Sequence, residues 1–227
     1  MLNKLIRKPW FIIFGLAILA AFWGMEKAKR IPQYGMVFYN MGMQRASSRG
    51  VEQKLAFFQK AVHHNINLVD AHLQLALLYE RLGREEEAFN SFKRVAELDY
   101  QNGLAYYKIG RYYFQKGKYD YALRYFLQAD AKVGCPDDVI FYLGRIYDYL
   151  QQYDQAIFYY QGIASRFDEY TNIVYPRVVE IHQILNRLED LKYYLIYLRR
   201  QNEVYKADQL EKYLNMAQSA QDWAVQK

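Results

Sequence analysis

Residues 106–129 read Tyr106-x2-Ile109-Gly110-x2-Tyr113, then, after Phe114–Tyr121, Ala122-x3-Phe126-x2-Ala129. Two apolar stripes at helical spacing flank the polar turn Gln115-Lys116-Gly117-Lys118, which predicts a helical hairpin. Gly110 and Ala122 let the two backbones approach. Phe126, one turn beyond Ala122, fills the wedge between them. The same register recurs every 34 residues. Gly42, Ala76, Gly110 and Gly144 hold the first small position, and Lys54, Ala88, Ala122 and Ala156 the second. Phe58, Phe92, Phe126 and Tyr160 hold the wedge, and Arg45, Tyr79, Tyr113 and Tyr147 follow the first small position by three. No insertion or deletion interrupts the four units. A fifth, 171–204, keeps the period but puts Val178 and Asp190 at the small positions and Tyr194 at the wedge.

This pattern resembles the tetratricopeptide repeat, a 34-residue unit with the signature W-x2-L-G-x2-Y…A-x3-F…P. The resemblance is clearest at 103–136 and 137–170, good at 69–102, weaker at 35–68 and decayed at 171–204. It implies an all-α, right-handed superhelical solenoid of helix hairpins over 35–204. One hairpin cannot bury its own apolar face, so units stack and the last needs a cap. Residues 203–218, with Leu210, Tyr213, Leu214 and Ala217 at helical spacing, predict that capping helix, within a cap and tail spanning 205–227. Pro32, Pro136 and Pro176 fall at or near unit boundaries, where a missing N–H matters least.

The net charge of +6 is unevenly placed. Residues 1–30 hold six basic side chains (Lys4, Arg7, Lys8, Lys27, Lys29, Arg30) against Glu26, while the remainder holds 24 basic and 23 acidic groups. The basic excess is therefore N-terminal, and no nucleic-acid partner is expected. After a basic flank, 1–9, comes the uncharged stretch Trp10–Met25. As a helix it covers about 24 Å, short of a bilayer core of roughly 30 Å. Lys8 and Lys27 can snorkel across the difference, and Trp10 and Phe22-Trp23 suit the two interfaces. This segment reads as an uncleaved transmembrane signal anchor over 10–25, followed by a connector, 26–34. The rival is a secretory signal peptide, but no A-x-A cleavage pattern is present. Basic residues are nearly balanced across the span, which leaves the orientation open.

Candidate chemistry is sparse. The single Cys135 excludes a disulfide framework and any Cys-rich metal site. His63, His64, His72 and His182 lack HExxH or CxxC companions and read as surface or interhelical imidazoles. Glu85-Glu86-Glu87 reads as a helix cap, because the dipole favours acids there. No phosphate-cradling or nucleophile motif occurs. The expectation is a protein that is not an enzyme, with no cofactor, no metal and no small-molecule substrate.

Recognition remains. In proteins of this family the first helices of successive repeats line a concave groove. The resemblance assigns that groove to Tyr39, Met43, Leu73, Leu77, Arg81, Tyr107, Arg111, Phe114, Phe141, Arg145 and Tyr149. Aromatic, aliphatic and Arg residues there suit a peptide with apolar side chains and a carboxylate. The bland alternative packs the same aromatics against neighbouring helices. Tyr121, Tyr125, Tyr159, Tyr193 and Tyr194 exceed what one wedge per unit needs, and mark either an interface or a tyrosine-rich core. The expected function is a membrane-anchored scaffold that assembles or stabilises a membrane or envelope protein complex. The expected location is the bacterial inner membrane, with the repeats facing the periplasm. A fixed structural subunit of a large membrane complex, and a protein similar to organelle import receptors, are the alternatives.

Overall fold

The computed structural model describes residues 32–44 and 50–225. These form antiparallel helix pairs: α1 (32–44), α2 (Val51–His64), α3 (Val69–Arg81) and α4 (Glu85–Leu98), then α5 (Gly103–Gln115), α6 (Tyr119–Asp130), α7 (Val139–Tyr149), α8 (Tyr153–Arg166), α9 (Thr171–Ile184), α10 (Leu188–Arg200) and α11 (Val204–Val225). A 3-10 turn at Asp168–Tyr170 precedes α9. Among the described residues the only strand-like pairing is an isolated bridge between Asn102 and Val133. Two compact units divide after Tyr100. The predicted anchor at 10–25 lies outside the described residues, as do 1–9, 26–31 and Arg45, while the last connector residues, 32–34, open α1. Among the described residues no helix is long and apolar enough to cross a membrane.

From α3 onward, the hairpin turns close on a backbone device. The turn residues Gly83 (φ 70°), Gly117 (φ 70°) and Gln151 (φ 58°) stand 34 positions apart in the left-handed region. The following amide donates back five residues: Arg84 to Tyr79, Lys118 to Tyr113, both at 2.9 Å, and Gln152 to Tyr147 at 2.8 Å. This is the Schellman arrangement, and it satisfies carbonyls that a helix end leaves open. Asn186 (φ 53°) and Asn202 (φ 61°) repeat it in the last two turns, through Arg187 to His182 and Glu203 to Leu198.

The wedge geometry follows the sequence period. A Cβ placed on Gly110 would lie 2.8 Å from the Phe126 ring. The equivalent atom on Gly144 would lie 2.7 Å from Tyr160, and on Gly42 2.7 Å from Phe58. Close helix approach therefore depends on the absence of that carbon. In the first unit, Ala61, Leu68 and Ala71 form a small core with Phe38, Tyr39 and Val62, joining α1, α2 and α3. His64 stacks on Phe38 at 5.3 Å, so the His63-His64 pair ends in an aromatic contact. In the second unit one continuous core runs from Tyr107 and Phe126 through Leu143, Tyr160 and Tyr175 to Ala207, Leu210 and Leu214 of α11. Pro176 is placed differently from the boundary position expected of it. It is the sixth residue of α9, where its missing N–H leaves a helical carbonyl without its usual donor.

Two buried polar groups tie this second unit together. Lys206, 5% exposed, donates from Nζ to the Ser165 carbonyl at 2.9 Å and pairs with Glu203 and Asp168, fastening α11 to the end of α8. His182, 4% exposed, places Nδ1 2.8 Å from the Val178 carbonyl. Burial holds its imidazole below the usual 6.5; the nearby Arg187 acts the same way, and the Val178 contact, Asp190 and Asp154 oppose it. The unfolded chain takes up a proton near pH 6.5 that the folded chain resists, so stability falls as pH drops below that value. His182→Gln is expected to flatten this acid limb, read from urea midpoints between pH 5 and 7. An unchanged pH slope would show that His182 does not set it.

Candidate functional site

The groove residues assigned from sequence fall on both units, and each unit is taken by itself. In the first, Leu73 and Leu77 are half-buried on α3, Arg81 is exposed in its last turn, and Met43 is exposed on α1. Tyr39 is half-buried with its ring 5.8 Å from Phe58, and burial plus the Asp70 charge raise its hydroxyl pKa. The structure gives these five no shared polar network.

The second unit brings its six together more closely. Helices α5 and α7 hold the same place in successive repeats, and Tyr107 and Phe114 of α5 meet Tyr142 and Arg145 of α7. Tyr107 is only 3% exposed. Its ring packs on Phe126 and Tyr142, and its hydroxyl donates to Asp138 ahead of α7. Burial, with the Asp138 bond and charge, raises its pKa far above the usual tyrosine value. Tyr107 therefore supports the face from beneath. The Arg111 guanidinium lies 5.8 Å from the Tyr107 ring. Phe114 is half-buried, edge-on to Tyr119 and Tyr142 at 5.4 and 5.3 Å. Tyr149, 64% exposed, sets its ring 3.9 Å from Tyr119.

Arg145 is the centre of this surface. It is exposed, with its guanidinium carbon 5.0 Å from the Phe114 ring and 5.8 Å from the Phe141 ring. Two aromatic faces thus hold one cation. Among the described residues no carboxylate pairs with it. The nearest candidate along its own helix, Asp148, is already taken. Arg177 donates to both Asp148 oxygens at 2.8 Å, and the Tyr160 hydroxyl donates to Asp148 at 3.2 Å. Arg177 also pairs with Glu180 at 2.8 Å.

Asp138, Tyr142, Asp148 and Arg177 were not singled out from sequence. Arg177 lies in the fifth unit, where the repeat signature has decayed, so register alone pointed nowhere. Tyr142 carried a signal, being next to Phe141 on the same helix. Cys135 is half-buried, and burial with three surrounding Asp charges pushes its thiol up to about 11, away from nucleophile chemistry. Among the described residues no cluster of three or more His, Cys, Asp or Glu could hold a metal ion.

Models of the tetratricopeptide repeat match residues 69–102, 104–130 and 138–169. These segments coincide with the pairs α3/α4, α5/α6 and α7/α8. The structure is similar to that of MamA, with a TM-score of 0.60 at 22% identity, over 75% of this chain and 93% of that one. It is also similar to YrrB, described as a TPR protein with an unusual peptide-binding site, with a TM-score of 0.59 at 17% identity over 82% and 90% of the two chains. A third similar structure is PilW, described as a widely conserved type IV pilus biogenesis factor, with a TM-score of 0.51 at 18% identity over 86% and 92%. A curated relative, the UDP-N-acetylglucosamine–peptide N-acetylglucosaminyltransferase of Giardia intestinalis, is 31% identical over 84 residues. That match spans 37% of this chain and 6% of the transferase, so it concerns a small part of that protein's length. Residues 69–169 thus carry tetratricopeptide repeats, and the described residues share the all-helical fold of these structures.

Proposed function

We propose that this chain is a non-catalytic scaffold that binds a segment of a protein partner on the α5/α7 face. The observation that carries the reading is Arg145, an exposed cation held between Phe114 and Phe141 with no acidic partner among the described residues. Such a group is prepared for a carboxylate. The rings beside it suit apolar side chains, and their fixed positions reduce the ordering needed on binding. The partner segment would therefore carry an acidic group, a side chain or a C-terminus, flanked by apolar residues. Residues 10–25 would anchor the scaffold in a membrane, bacterial inner membrane by preference, with the repeats on the periplasmic side. There it would assemble or stabilise a membrane or envelope complex. YrrB, on the same fold, is described as having a peptide-binding site, which supports a binding role in kind.

The test is Arg145→Ala in the full-length chain, purified with its partners from the cells that make it. One desolvated charge pair lost at an interface costs about 2 kcal/mol or more, roughly a thirtyfold fall in affinity. Recovery of the bound partner is expected to drop accordingly, with thermal stability little changed, because Arg145 is exposed and its ring contacts contribute only about 1 kcal/mol. Retention of every partner at the original level would remove this face as the binding surface.

A further inference from the structure

We propose that α10 is a self-association surface, on which a second copy of this chain packs antiparallel about a two-fold axis. Helix α10 is apolar on two sides. Its inner side buries Leu191 and Leu198, with Tyr194 and Leu195 half-buried beside them. Its outer side, where an ordinary surface helix is charged or polar, carries Tyr193 at 73% exposure, Ile196 at 48% and Tyr197 at 54%. The other surplus tyrosines have ring partners within the chain, although Tyr121 is itself 54% exposed. Tyr113 stacks on Tyr121 and Tyr125, and Tyr147 on Tyr159. Tyr193 has no ring partner among the described residues.

The charges at the two ends of this stripe choose the occupant. Glu189, Tyr193, Ile196 and Arg200 follow one another at i, i+4, i+7 and i+11, which places them on one narrow face of the helix. Glu189 pairs with Lys192 of its own helix at 2.6 Å. Arg199 is committed to α11, at 2.6 Å from Glu211 and 3.5 Å from Asp208. Arg200 makes no ion pair among the described residues. The stripe therefore runs acid, aromatic, aliphatic, base, with Glu189 and Arg200 about 16 Å apart. Reversed, it complements itself. An antiparallel second copy sets Glu189 against the partner's Arg200 at both ends, and the Tyr193 and Ile196 side chains of both copies meet near the axis. A parallel copy would oppose like charges at both ends. Such a closed, isologous contact is the commonest form of oligomer symmetry. One short helix from each copy makes a small interface, so the association is weak and concentration-dependent. This surface is separate from the α5/α7 face, and Arg145→Ala leaves it intact.

Analytical ultracentrifugation of the full-length chain in mild detergent, over a range of concentrations, reads the association. A reversible dimer is expected. Glu189→Arg and Arg200→Glu should each weaken it about tenfold or more, and the double reversal should restore it. Tyr193→Ser, at another exposed position, should weaken it without charge repulsion, and thermal melting of each variant checks its folding. A single-copy mass at every concentration overturns the proposal. So does a dimer indifferent to both single reversals, or a double reversal that fails to recover. A monomer that instead binds lipid vesicles, or one stoichiometric foreign subunit, through Tyr193 and Ile196 also overturns it.

Discussion

Replacing Phe126 with Ala is expected to lower the stability of the second unit by about 3–5 kcal/mol. Phe126 is fully buried and fills the space left by the missing Cβ of Gly110. Its ring stacks on Tyr142 of the next repeat at 5.2 Å and meets Tyr107 of its own hairpin at 5.9 Å. Truncation therefore opens a void shared by three helices, and the backbone approach at Gly110 prevents easy collapse into it. A urea titration followed by circular dichroism measures the loss. Phe158→Ala is the control: Phe158 is 71% exposed and should change stability by about 0.5 kcal/mol or less. A Phe126→Ala loss below about 1 kcal/mol would mean that the wedge does not hold the hairpin together.

The second large effect is expected at Asp148. Its carboxylate accepts two bonds from Arg177 and one from Tyr160, joining α7 to α9 and α8. Asp148→Ala leaves the Tyr160 hydroxyl, on a residue 4% exposed, without its acceptor. It also leaves Arg177 with only Glu180 among the described residues. The Arg177 side chain is 38% exposed, so solvent screens part of the charge loss. About 1–3 kcal/mol is the expected cost. A double-mutant cycle with Arg177→Met isolates the pair, and a coupling of about 1 kcal/mol is expected. Coupling near zero would show that the two residues meet without stabilising the junction.

Most of the architecture could be read from the 34-residue period, because both ingredients of the wedge are local in sequence. Gly110 and Phe126 lie in adjacent helices of one hairpin, and their types are matched by volume. The candidate site was legible only in outline. Position in the repeat indicated which residues lie along α5 and α7. It did not indicate that Tyr107 would be buried with its hydroxyl on Asp138, or that Arg145 would be held between rings from two helices. Those outcomes depend on how far one hairpin rotates against the next, which a period does not encode. The surplus tyrosines show the same limit. Tyr121, Tyr125 and Tyr159 stack within their own hairpins at 5.3–5.4 Å. Tyr193 has a similar place in the sequence pattern, yet it has no ring partner among the described residues and is 73% exposed.

The left-handed turn residues have a consequence for strain. Gly83 and Gly117 adopt that geometry at no steric cost, and Asn186 and Asn202 tolerate it. Gln151 does not share that tolerance, and roughly 1–2 kcal/mol of strain collects at the turn between α7 and α8. That turn directly follows α7, the helix that carries Arg145. The second unit therefore holds its strain at the turn that ends the helix carrying Arg145. A partner seated on Arg145, as proposed, would bear on a helix whose end is already strained. A change that relieves Gln151, such as Gln151→Gly, would act on the turn without touching the face.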